Sequence, residues 1–212
     1  MRNPLFARYF DRCGARLEER GGRELRTELL AGLSGRVLEA GVGTGLNFPY
    51  YPPPVREVVA VEPEPYLRRR AAQAAAASPV PVRVTDGTAA RLPAADGEFD
   101  AVVSSGLLCS VSDVPAALAE FLRVLRPGGE LRFWEHVRSR DPIFAAFQQL
   151  ADLAWPHLMG GCHVQRQTQA AIGQFFTIEA CRGFRFPSSA PLSPVAPRIL
   201  GIARKAAPKT AS

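Results

Sequence analysis

A glycine-rich stretch is the first part of the sequence that could bind a ligand. Residues 39–45 read EAGVGTG, with glycines at positions 41, 43 and 45 directly after a short apolar run. Because glycine has no Cβ, such a loop lets the backbone approach a ligand closely. Loops of this kind hold a phosphate, a dinucleotide, or a nucleoside joined to an amino acid, and these ligands imply different chemistry.

The residue at position 46 separates these three ligands. A P-loop needs the pattern GxxxxGK[ST], and the dinucleotide fingerprint GxGxxG needs its third glycine at position 46. The chain has Leu46 there, and no lysine follows it. S-adenosylmethionine, a nucleoside joined to an amino acid, fits better. Its sulfonium and ammonium groups are cations, so an acid such as Glu39 next to the loop is favourable.

A second acid lies where that ligand needs one. Glu62 ends the run VVAVE, 21 residues after Gly41, at the expected carboxyl end of a second strand. A carboxylate at this place can accept hydrogen bonds from both ribose hydroxyls. The two acids and the three glycines therefore favour S-adenosylmethionine, with a solvated acid at the strand end as the alternative for Glu62.

Several stretches resemble the class I S-adenosylmethionine-dependent methyltransferases, in the small-molecule branch that includes the ubiquinone/menaquinone C-methyltransferases. They are EAGVGTG at 39–45, VVAVEP at 58–63, GTAARLP at 87–93 and LRVLRPGGEL at 122–131. A narrower resemblance, to the methyltransferase-like thiol S-methyltransferases, extends further along the chain. It rests on LLCSV at 107–111, FWEHV at 133–137, LADLAW at 150–155, GGC at 160–162 and APLS at 190–193.

The resemblance implies which residues hold the cofactor. Glu39 and the backbone of 41–45 would hold the methionine end, Glu62 the ribose, and Pro63 would flank the adenine. The loop after the third strand usually reads Gly-Asp-Ala, but Thr88 replaces the acid here, and Asp86 is a substitute for it. The expected cofactor contacts are Glu39, Gly41, Val42, Gly43, Gly45, Asn47, Glu62, Pro63, Gly87, Thr88, Ala89, Ser104, Ser105 and Gly106.

The residues that face the methyl acceptor are expected after the fifth strand. Methyl transfer from a sulfonium is an in-line displacement, and a base helps only an acceptor that carries a proton near pH 7, such as a thiol, a phenol or an enol. His136 and Asp152 are the predicted catalytic residues, with a packing histidine and a solvated helix acid as the alternatives. His157, Cys162 and His163 are further candidates, and Cys109 is expected to be a buried structural thiol.

Strands and helices alternate along the part of the chain that carries these residues. Apolar runs predict strands at 37–38, 58–61, 82–84, 99–104, 131–134, 177–186 and 199–203. Helical patterns lie at 4–31, 65–77, 114–125, 142–160 and 164–175. The sequence therefore predicts an α/β fold: a Rossmann-like, doubly wound, mostly parallel seven-stranded sheet with helices on both faces.

A single methyltransferase domain with four parts is expected. These parts are an N-terminal helical lid at 1–34, the cofactor-binding core at 35–137, a substrate-side helical insert at 138–175, and the C-terminal strands at 176–205. Phe6, Tyr9 and Phe10 form an apolar stripe that would close over the cofactor. Arg8, Arg12 and Arg16 form another face of this helix. Weak peripheral contact of this face with an anionic membrane is the alternative to the lid role.

Composition and absent motifs exclude several classes of function. The net charge is +6, but SSGLLCS at 104–110 replaces the [DNS]PP[YFW] stretch of enzymes that methylate bases or glutamine, so no nucleic-acid partner is expected. The four cysteines form no CxxC pair, which predicts reduced thiols in a cytoplasmic protein and no metal site. The run at the N-terminus does not read as a secretory signal, and no apolar run is long enough to span a membrane.

These features together predict an S-adenosylmethionine-dependent methyltransferase that acts on a small, lipophilic acceptor such as a thiol. Two other functions remain open at this stage. One is C- or O-methylation of a quinone-like or polyketide ring, and the other is cofactor or lipid-surface binding without catalysis. The sequence does not predict an oligomeric state.

Overall fold

A computed structural model describes residues 4–207, apart from the side chains of residues 4, 5, 15 and 16, so the predicted role of Arg16 lies outside the described part. The helices are α1 (Pro4–Leu17), α2 (Arg23–Leu30), α3 (Pro65–Ala75), α4 (Val114–Val124), α5 (Pro142–Ala151), α6 (Trp155–Leu158) and α7 (Thr168–Phe175). The strands are β1 (Gly35–Ala40), β2 (Val55–Val61), β3 (Val82–Thr85), β4 (Phe99–Ser105), β5 (Leu125–His136), β6 (Thr177–Arg185) and β7 (Pro197–Arg204). A π-helical segment, Glu18–Gly22, joins α1 to α2.

All seven strands belong to one sheet, in the order β3-β2-β1-β4-β5-β7-β6. The pairs among β1 to β5 are parallel, whereas β7 runs antiparallel to both β5 and β6. The predicted mostly parallel, seven-stranded architecture is confirmed. It follows from the sequence because short apolar strands separated by helices can pair in parallel only through crossovers over the sheet faces.

Each face of the sheet is covered by helices and has its own core. On one face, Leu118 and Phe121 of α4 and Ile172 of α7 pack against the strands. On the other face, Leu29 and Leu30 of α2 are buried against the strands. Both faces of the central strands are therefore apolar, which leaves their carboxyl ends as the place where polar groups can meet.

The helices that flank the site begin at acidic caps followed by proline. Glu64, Asp113 and Asp141 each accept a hydrogen bond from a backbone N–H in the first turn of α3, α4 and α5. A proline stands in the first two positions of each of these helices, where its missing N–H removes no helical hydrogen bond. The caps fix where each loop from the sheet ends.

The insert departs from the predicted helices. One helix was expected over 142–160, but α5 ends at Ala151 and a separate short helix begins at Trp155. Pro156 explains the break, because it cannot donate to the carbonyl of Asp152 and its ring would clash with that carbonyl. The second predicted helix, 164–175, begins only at Thr168.

The residues before α7 are held by partners elsewhere in the chain, which overrides their helical pattern. His163 N donates to the Cys109 carbonyl at 2.8 Å, and Val164 N donates to Asp152 Oδ1 at 2.7 Å. A helix over 164–175 would pair the Arg166 carbonyl with the Ala170 N–H, but this carbonyl accepts the Arg138 N–H at 3.0 Å instead. In the part of the chain that the structure describes, no helix is both long and apolar enough to cross a bilayer.

Candidate active site

The glycine loop lies at the point where the sheet changes direction. The chain leaves β1 toward β2 and β3, then crosses back to place β4 on the other side of β1. Ligands of doubly wound sheets bind at the carboxyl ends of the strands beside such a point. Gly41, Gly43 and Gly45 have φ angles of 65°, 59° and 82°, in the left-handed region that only glycine adopts without strain. The loop is therefore a rigid turn at the expected ligand edge.

Glu62 follows β2 and points into this loop. Its Oε2 accepts the Gly43 N–H at 2.9 Å, and its Oε1 accepts the Glu64 N–H at 3.0 Å. Burial raises the pKa of this carboxyl group. A carboxylate offers about four acceptor positions, so two of them remain after these two hydrogen bonds. That is the number a ribose diol needs, so the residues present fit the predicted ribose contact.

Glu39 lies beneath the loop and is only 2% exposed. Its Oε1 accepts from Asn47 Nδ2 at 2.8 Å, and its Oε2 accepts from the Tyr51 hydroxyl at 2.8 Å. Arg26 donates to Asn47 Oδ1 at 2.6 Å, which places a guanidinium next to this pair. Burial raises the pKa of Glu39 to about 7. Glu39 therefore supports the loop from below through Asn47.

The other predicted cofactor residues follow β2, β3 and β4 at the same edge of the sheet. Pro63 is half-buried, Ala89 is buried and Thr88 is exposed. Asp86 pairs with Arg68 at 3.0 Å, and the same Arg68 Nη1 donates to the Glu62 carbonyl at 2.7 Å. The substitute acid for the missing family aspartate is thus linked to the residue predicted to bind ribose.

The loop after β4 reaches toward both the glycine loop and the insert. Ser104 is buried and donates to Glu135 Oε1 at 2.7 Å, while Ser105 is half-buried and Gly106 is exposed. A Cβ at Gly41 would lie 2.5 Å from Leu107 Cδ1, so the two loops are in contact. Gly41 therefore has a packing requirement as well as a conformational one.

His136, Cys109 and Cys162 converge into one cluster. The Nδ1 atom of His136 lies 3.3 Å from Cys109 Sγ and 3.4 Å from Cys162 Sγ. These three atoms all lie within 4.8 Å of one another. The hydrogen bond between the thiols raises the pKa of Cys109, and burial raises it further, whereas the same hydrogen bond lowers the pKa of Cys162. Both cysteines are free thiols.

Sequence reasoning considered these three residues one at a time and did not place them together. They come from the loop after β4, the end of β5 and the loop after α6, and no spacing along the chain links them. The expectation of no metal site rested on the missing CxxC pairs, and such a pattern says nothing about ligands from separate loops. Only the resemblance at LLCSV, FWEHV and GGC runs through all three segments.

Asp152 lies beside the cluster and holds the segment that carries Cys162. Its Oδ2 lies 3.0 Å from His163 Nδ1, and its Oδ1 accepts the Val164 N–H at 2.7 Å. His157 is exposed and is not part of the cluster. Of the residues predicted to face the acceptor, the structure therefore brings together His136 and Cys162, with Asp152 supporting them.

Buried polar atoms without partners surround the cluster. Within residues 4–207, the buried side-chain atoms with no hydrogen-bond partner include Glu135 Oε2 and Arg198 Nε. Arg198 packs 5.1 Å from the centroid of the Trp134 ring, and burial lowers its pKa to about 10. The groups that act on its charge are Cys109, Arg26, Cys162 and Glu135. A buried cation therefore lies close to the two thiols.

Helix α1 lies across the glycine loop and reaches the insert. A Cβ at Gly43 would lie 2.9 Å from the Phe10 ring, and a Cβ at Gly160 would lie 2.5 Å from the Phe6 ring. The Tyr66 hydroxyl donates to Asp11 at 2.8 Å, which ties α1 to α3. Tyr9, expected on the same apolar stripe, is instead 52% exposed.

Several large apolar side chains of α5 are turned outward. Ile143 and Leu150 are 82% and 70% exposed, and Phe147 is 45% exposed. Phe144 is buried, and the Arg185 guanidinium lies 4.1 Å from the centroid of its ring. The side of α5 that faces the core therefore carries Phe144, Ala145 and Gln148.

Known proteins resemble this chain in sequence and in fold. Residues 38–133 match the pattern of the family described as "Methyltransferase domain". The chain is 35% identical over 220 residues to Thiol S-methyltransferase TMT1B of Homo sapiens, across 95% of this chain and 88% of that protein. It is also 35% identical over 131 residues to the demethylmenaquinone methyltransferase of Deinococcus radiodurans, across 60% of this chain and 54% of that protein.

Solved structures share the architecture at low sequence identity. Geranyl diphosphate methyltransferase in complex with SAM has a TM-score of 0.68 and 15% identity, covering 93% of this chain and 90% of that one. The [4+2]-cyclase SpnF has a TM-score of 0.67 and 20% identity, covering 89% and 81%. At these identities the likeness shows the fold, and a fold shared by a cyclase and a methyltransferase does not by itself fix the reaction.

Proposed function

This chain belongs to the class I S-adenosylmethionine-dependent methyltransferases, and from that premise we propose that its acceptor is the sulfur of a small, lipophilic thiol. One observation carries the proposal. The 35% identity to a protein named thiol S-methyltransferase extends over 95% of the chain, so it includes the insert that borders the acceptor side as well as the cofactor-binding core.

We assign the cofactor to the loop edge described above. The turn of residues 41–45 holds the methionine end with backbone groups, and Glu62 accepts hydrogen bonds from the ribose with the acceptor positions that Gly43 and Glu64 leave open. Glu39 keeps the turn in place through Asn47. Thr88 contacts the adenine in place of the family aspartate. Asp86, which pairs with Arg68, is the acid closest to Thr88 in the sequence.

The bound cofactor supplies an activated methyl group on a sulfonium sulfur. The protein then has to orient the acceptor in line with that group and keep water away. The loop of Leu107 contacts Gly41 on one side and, through Cys109 and His163, the insert on the other, so an acceptor beside this loop would meet both. We place His136 on the acceptor side, and Asp152 acts by positioning the segment of Cys162.

The other reaction considered is C- or O-methylation of a quinone-like ring. The likeness to the demethylmenaquinone methyltransferase favours it, but it covers a smaller share of the chain than the likeness to the thiol enzyme.

A panel of acceptors tests the proposal. Purified full-length protein is incubated with S-adenosylmethionine and, separately, with alkyl and aryl thiols, phenols and quinols, and products are identified by mass spectrometry. We expect S-methyl thioethers from the lipophilic thiols. Product from quinols or phenols with none from thiols would refute the thiol assignment. The Glu62→Ala variant is the control, since product that depends on the bound cofactor must fall with it.

Location and partners follow from the same proposal. We expect a cytoplasmic enzyme with a small-molecule acceptor and no nucleic-acid substrate. Weak contact of the arginine face of α1 with anionic membrane is the alternative for the N-terminal segment, and of that face the structure describes Arg8 and Arg12, both exposed. Flotation with anionic and neutral vesicles separates the two, because only membrane contact predicts co-flotation with the anionic ones.

A further inference from the structure

We propose that Cys109, His136 and Cys162 bind a zinc ion and that the fourth coordination position of this ion takes the acceptor thiol. The metal site stands on the geometry of the three side chains alone. Its use for the acceptor rests on the proposed function.

The distances fit a zinc ion at the centre of the cluster. With Zn–S bonds of about 2.3 Å and Zn–N bonds of about 2.0–2.1 Å, tetrahedral angles put sulfur and nitrogen ligands about 3.5 Å apart. His136 Nδ1 lies 3.3 Å from one sulfur and 3.4 Å from the other, and all three atoms fall within 4.8 Å of one another. The two sulfur-to-nitrogen distances therefore lie within about 0.2 Å of the tetrahedral value.

Both sulfurs approach the same Nδ1 atom, which as a neutral imidazole nitrogen accepts or donates only one proton. Without a metal ion, Cys109 Sγ also has the Gly106 carbonyl and the Ser110 hydroxyl as partners, each at 3.5 Å. A metal ion among the three atoms gives each of them a bond. Two thiolates and one imidazole form a donor set that selects zinc among the available divalent ions.

The three ligands are held before any metal binds. His136 ends β5, where it pairs with β7, and its carbonyl accepts from Thr168 Oγ1 at 3.4 Å. The Cys109 carbonyl accepts the His163 N–H at 2.8 Å, which joins the loop of Cys109 to the segment of Cys162. Asp152 fixes that segment through Val164. Ligands that are already in position lose little freedom when the ion binds.

The number of protein ligands leaves one position open. Structural zinc sites usually have four protein ligands, whereas zinc sites that act on substrates have three and leave the fourth for water or substrate. In the part of the chain that the structure describes, the cluster has only these three metal-binding side chains. The site therefore has the composition of a reactive centre.

The buried guanidinium of Arg198 matches the charge of the complex with a thiol. Zn²⁺ with two cysteine thiolates is neutral, so a third thiolate gives the centre a charge of −1. Arg26 already pairs with Glu18 at 2.7 Å, so its charge is already matched. Arg198 is buried beside both cysteines, and its Nε has no partner among residues 4–207. Its positive charge balances the negative charge that the acceptor thiolate adds.

The chemical step balances without an oxidant or a further reactant. The acceptor thiol releases its proton to water as its sulfur takes the open position of the ion. That sulfur then forms a bond to the methyl carbon while the sulfonium–methyl bond breaks, and the electron pair of the broken bond stays on the sulfur of neutral S-adenosylhomocysteine. The thioether product is a weaker ligand than a thiolate, so it leaves the ion.

Metal binding is measured on the wild-type chain first. Full-length protein is stripped with a chelator under reducing conditions and titrated with Zn²⁺ and, separately, with Co²⁺. We expect one Zn²⁺ per chain and, with Co²⁺, sulfur-to-metal charge-transfer and tetrahedral ligand-field absorption. A chain that takes up no stoichiometric Zn²⁺, or a Co²⁺ complex without sulfur charge transfer, would overturn the site. This measurement needs no variant, so a misfolded variant cannot obscure it.

Two variants and a matched control locate the site. Cys109→Ser and Cys162→Ser should lower Zn²⁺ affinity more than the roughly 10- to 100-fold that loss of an outer-shell partner costs. Cys181→Ser is the control, because Cys181 lies on β6 outside the cluster, and its affinity should match that of the wild type. Wild-type affinity in both cluster variants would overturn the assignment.

Two readouts separate failure of this inference from failure of the proposed function. S-adenosylhomocysteine binding by calorimetry should be equal in the stripped and the zinc-loaded protein, since no cofactor residue is a ligand. Thiol methylation should be lost on stripping and return with Zn²⁺. Equal thiol methylation by the stripped protein would overturn the role of the ion and leave the thiol function standing. Zn²⁺ uptake without any thiol methylation would overturn the role in activation and leave only the metal site.

Discussion

Replacement of Glu62 by glutamine tests the cofactor site most directly. The substitution keeps the side-chain size but turns one acceptor oxygen into an NH₂ group. In the wild type, Gly43 N–H and Glu64 N–H each donate to one oxygen of this carboxylate. Whichever amide faces the new NH₂ group loses its acceptor in a buried place, which costs about 1–3 kcal/mol of folding stability.

The cost to cofactor binding follows from the same geometry. One of the two ribose hydroxyls loses a hydrogen bond to a charged acceptor, which is worth about 1.5–3 kcal/mol. At about 1.4 kcal/mol per factor of ten, the dissociation constant of S-adenosylhomocysteine rises about 10- to 150-fold. Calorimetry measures this change, and a thermal melt measures the loss of stability, expected at about 2–12 °C for a domain of this size.

Glu64→Ala is the matched control for this experiment. The Glu64 carboxylate accepts the Leu67 N–H at 2.8 Å and caps α3, so its loss should cost about 1 kcal/mol of stability. It has no predicted contact with the cofactor, so the affinity should change little. If Glu62→Gln binds S-adenosylhomocysteine within threefold of the wild type while its melt shows an intact fold, the ribose assignment is wrong.

Three further predictions concern the residues around the loop and the insert. Burial raises the pKa of Glu39 to about 7 from 4.5, so the stability due to its protonated form is complete below pH 4.5 and is lost as the pH rises through 7. Glu39→Gln should remove this loss, which is about 3 kcal/mol of unfolding free energy. Urea unfolding of both proteins at pH 5 and pH 8 measures it, and an equal change of stability with pH in the wild type and the variant would contradict the reasoning. Asp152→Ala leaves the buried Val164 N–H without a hydrogen-bond acceptor, so the melting temperature should fall and the KM for the methyl acceptor should rise. The affinity for S-adenosylhomocysteine, measured by calorimetry, should not change, and a large change would contradict the prediction. Phe10→Ala removes the ring that packs on Gly43, so hydrogen exchange of residues 41–45 should become faster in the variant, and equal exchange would show that α1 does not protect the loop.

The sheet and the cofactor edge were predictable because they depend on local patterns. Each parallel strand needs an apolar run buried on both faces, and runs such as 58–61 show it plainly. The glycine loop and Glu62 stand next to strand ends, so their place in the sequence also gives their place in the fold. The roles assigned to the individual cofactor residues stay predictions.

The acceptor side was harder to predict because its structure depends on partners far away in the chain. The segment 164–167 is not helical because the Arg138 N–H, from a distant part of the chain, takes the Arg166 carbonyl that a helix would use. Likewise, the apolar residues Ile143 and Leu150 share a helix face whose direction only tertiary packing decides. The meeting of Cys109, His136 and Cys162 depends on three loops at once, which no periodicity encodes.

The position of β7 has a consequence for how the chain acquires its structure during synthesis. β7 follows every other strand in chain order, yet it lies between β5 and β6 in the sheet. Until the ribosome has released residues 197–204, the outer edge of β5 has no partner and β6 has no connection to the rest of the sheet. The nascent chain therefore has an unpaired edge on β5 from the synthesis of residues 125–136 until that of residues 197–204. Arg198, which lies beside the thiol cluster, is made after all three residues of that cluster. A translation pause near the codons for β7 should accordingly extend the period in which the chain needs a chaperone.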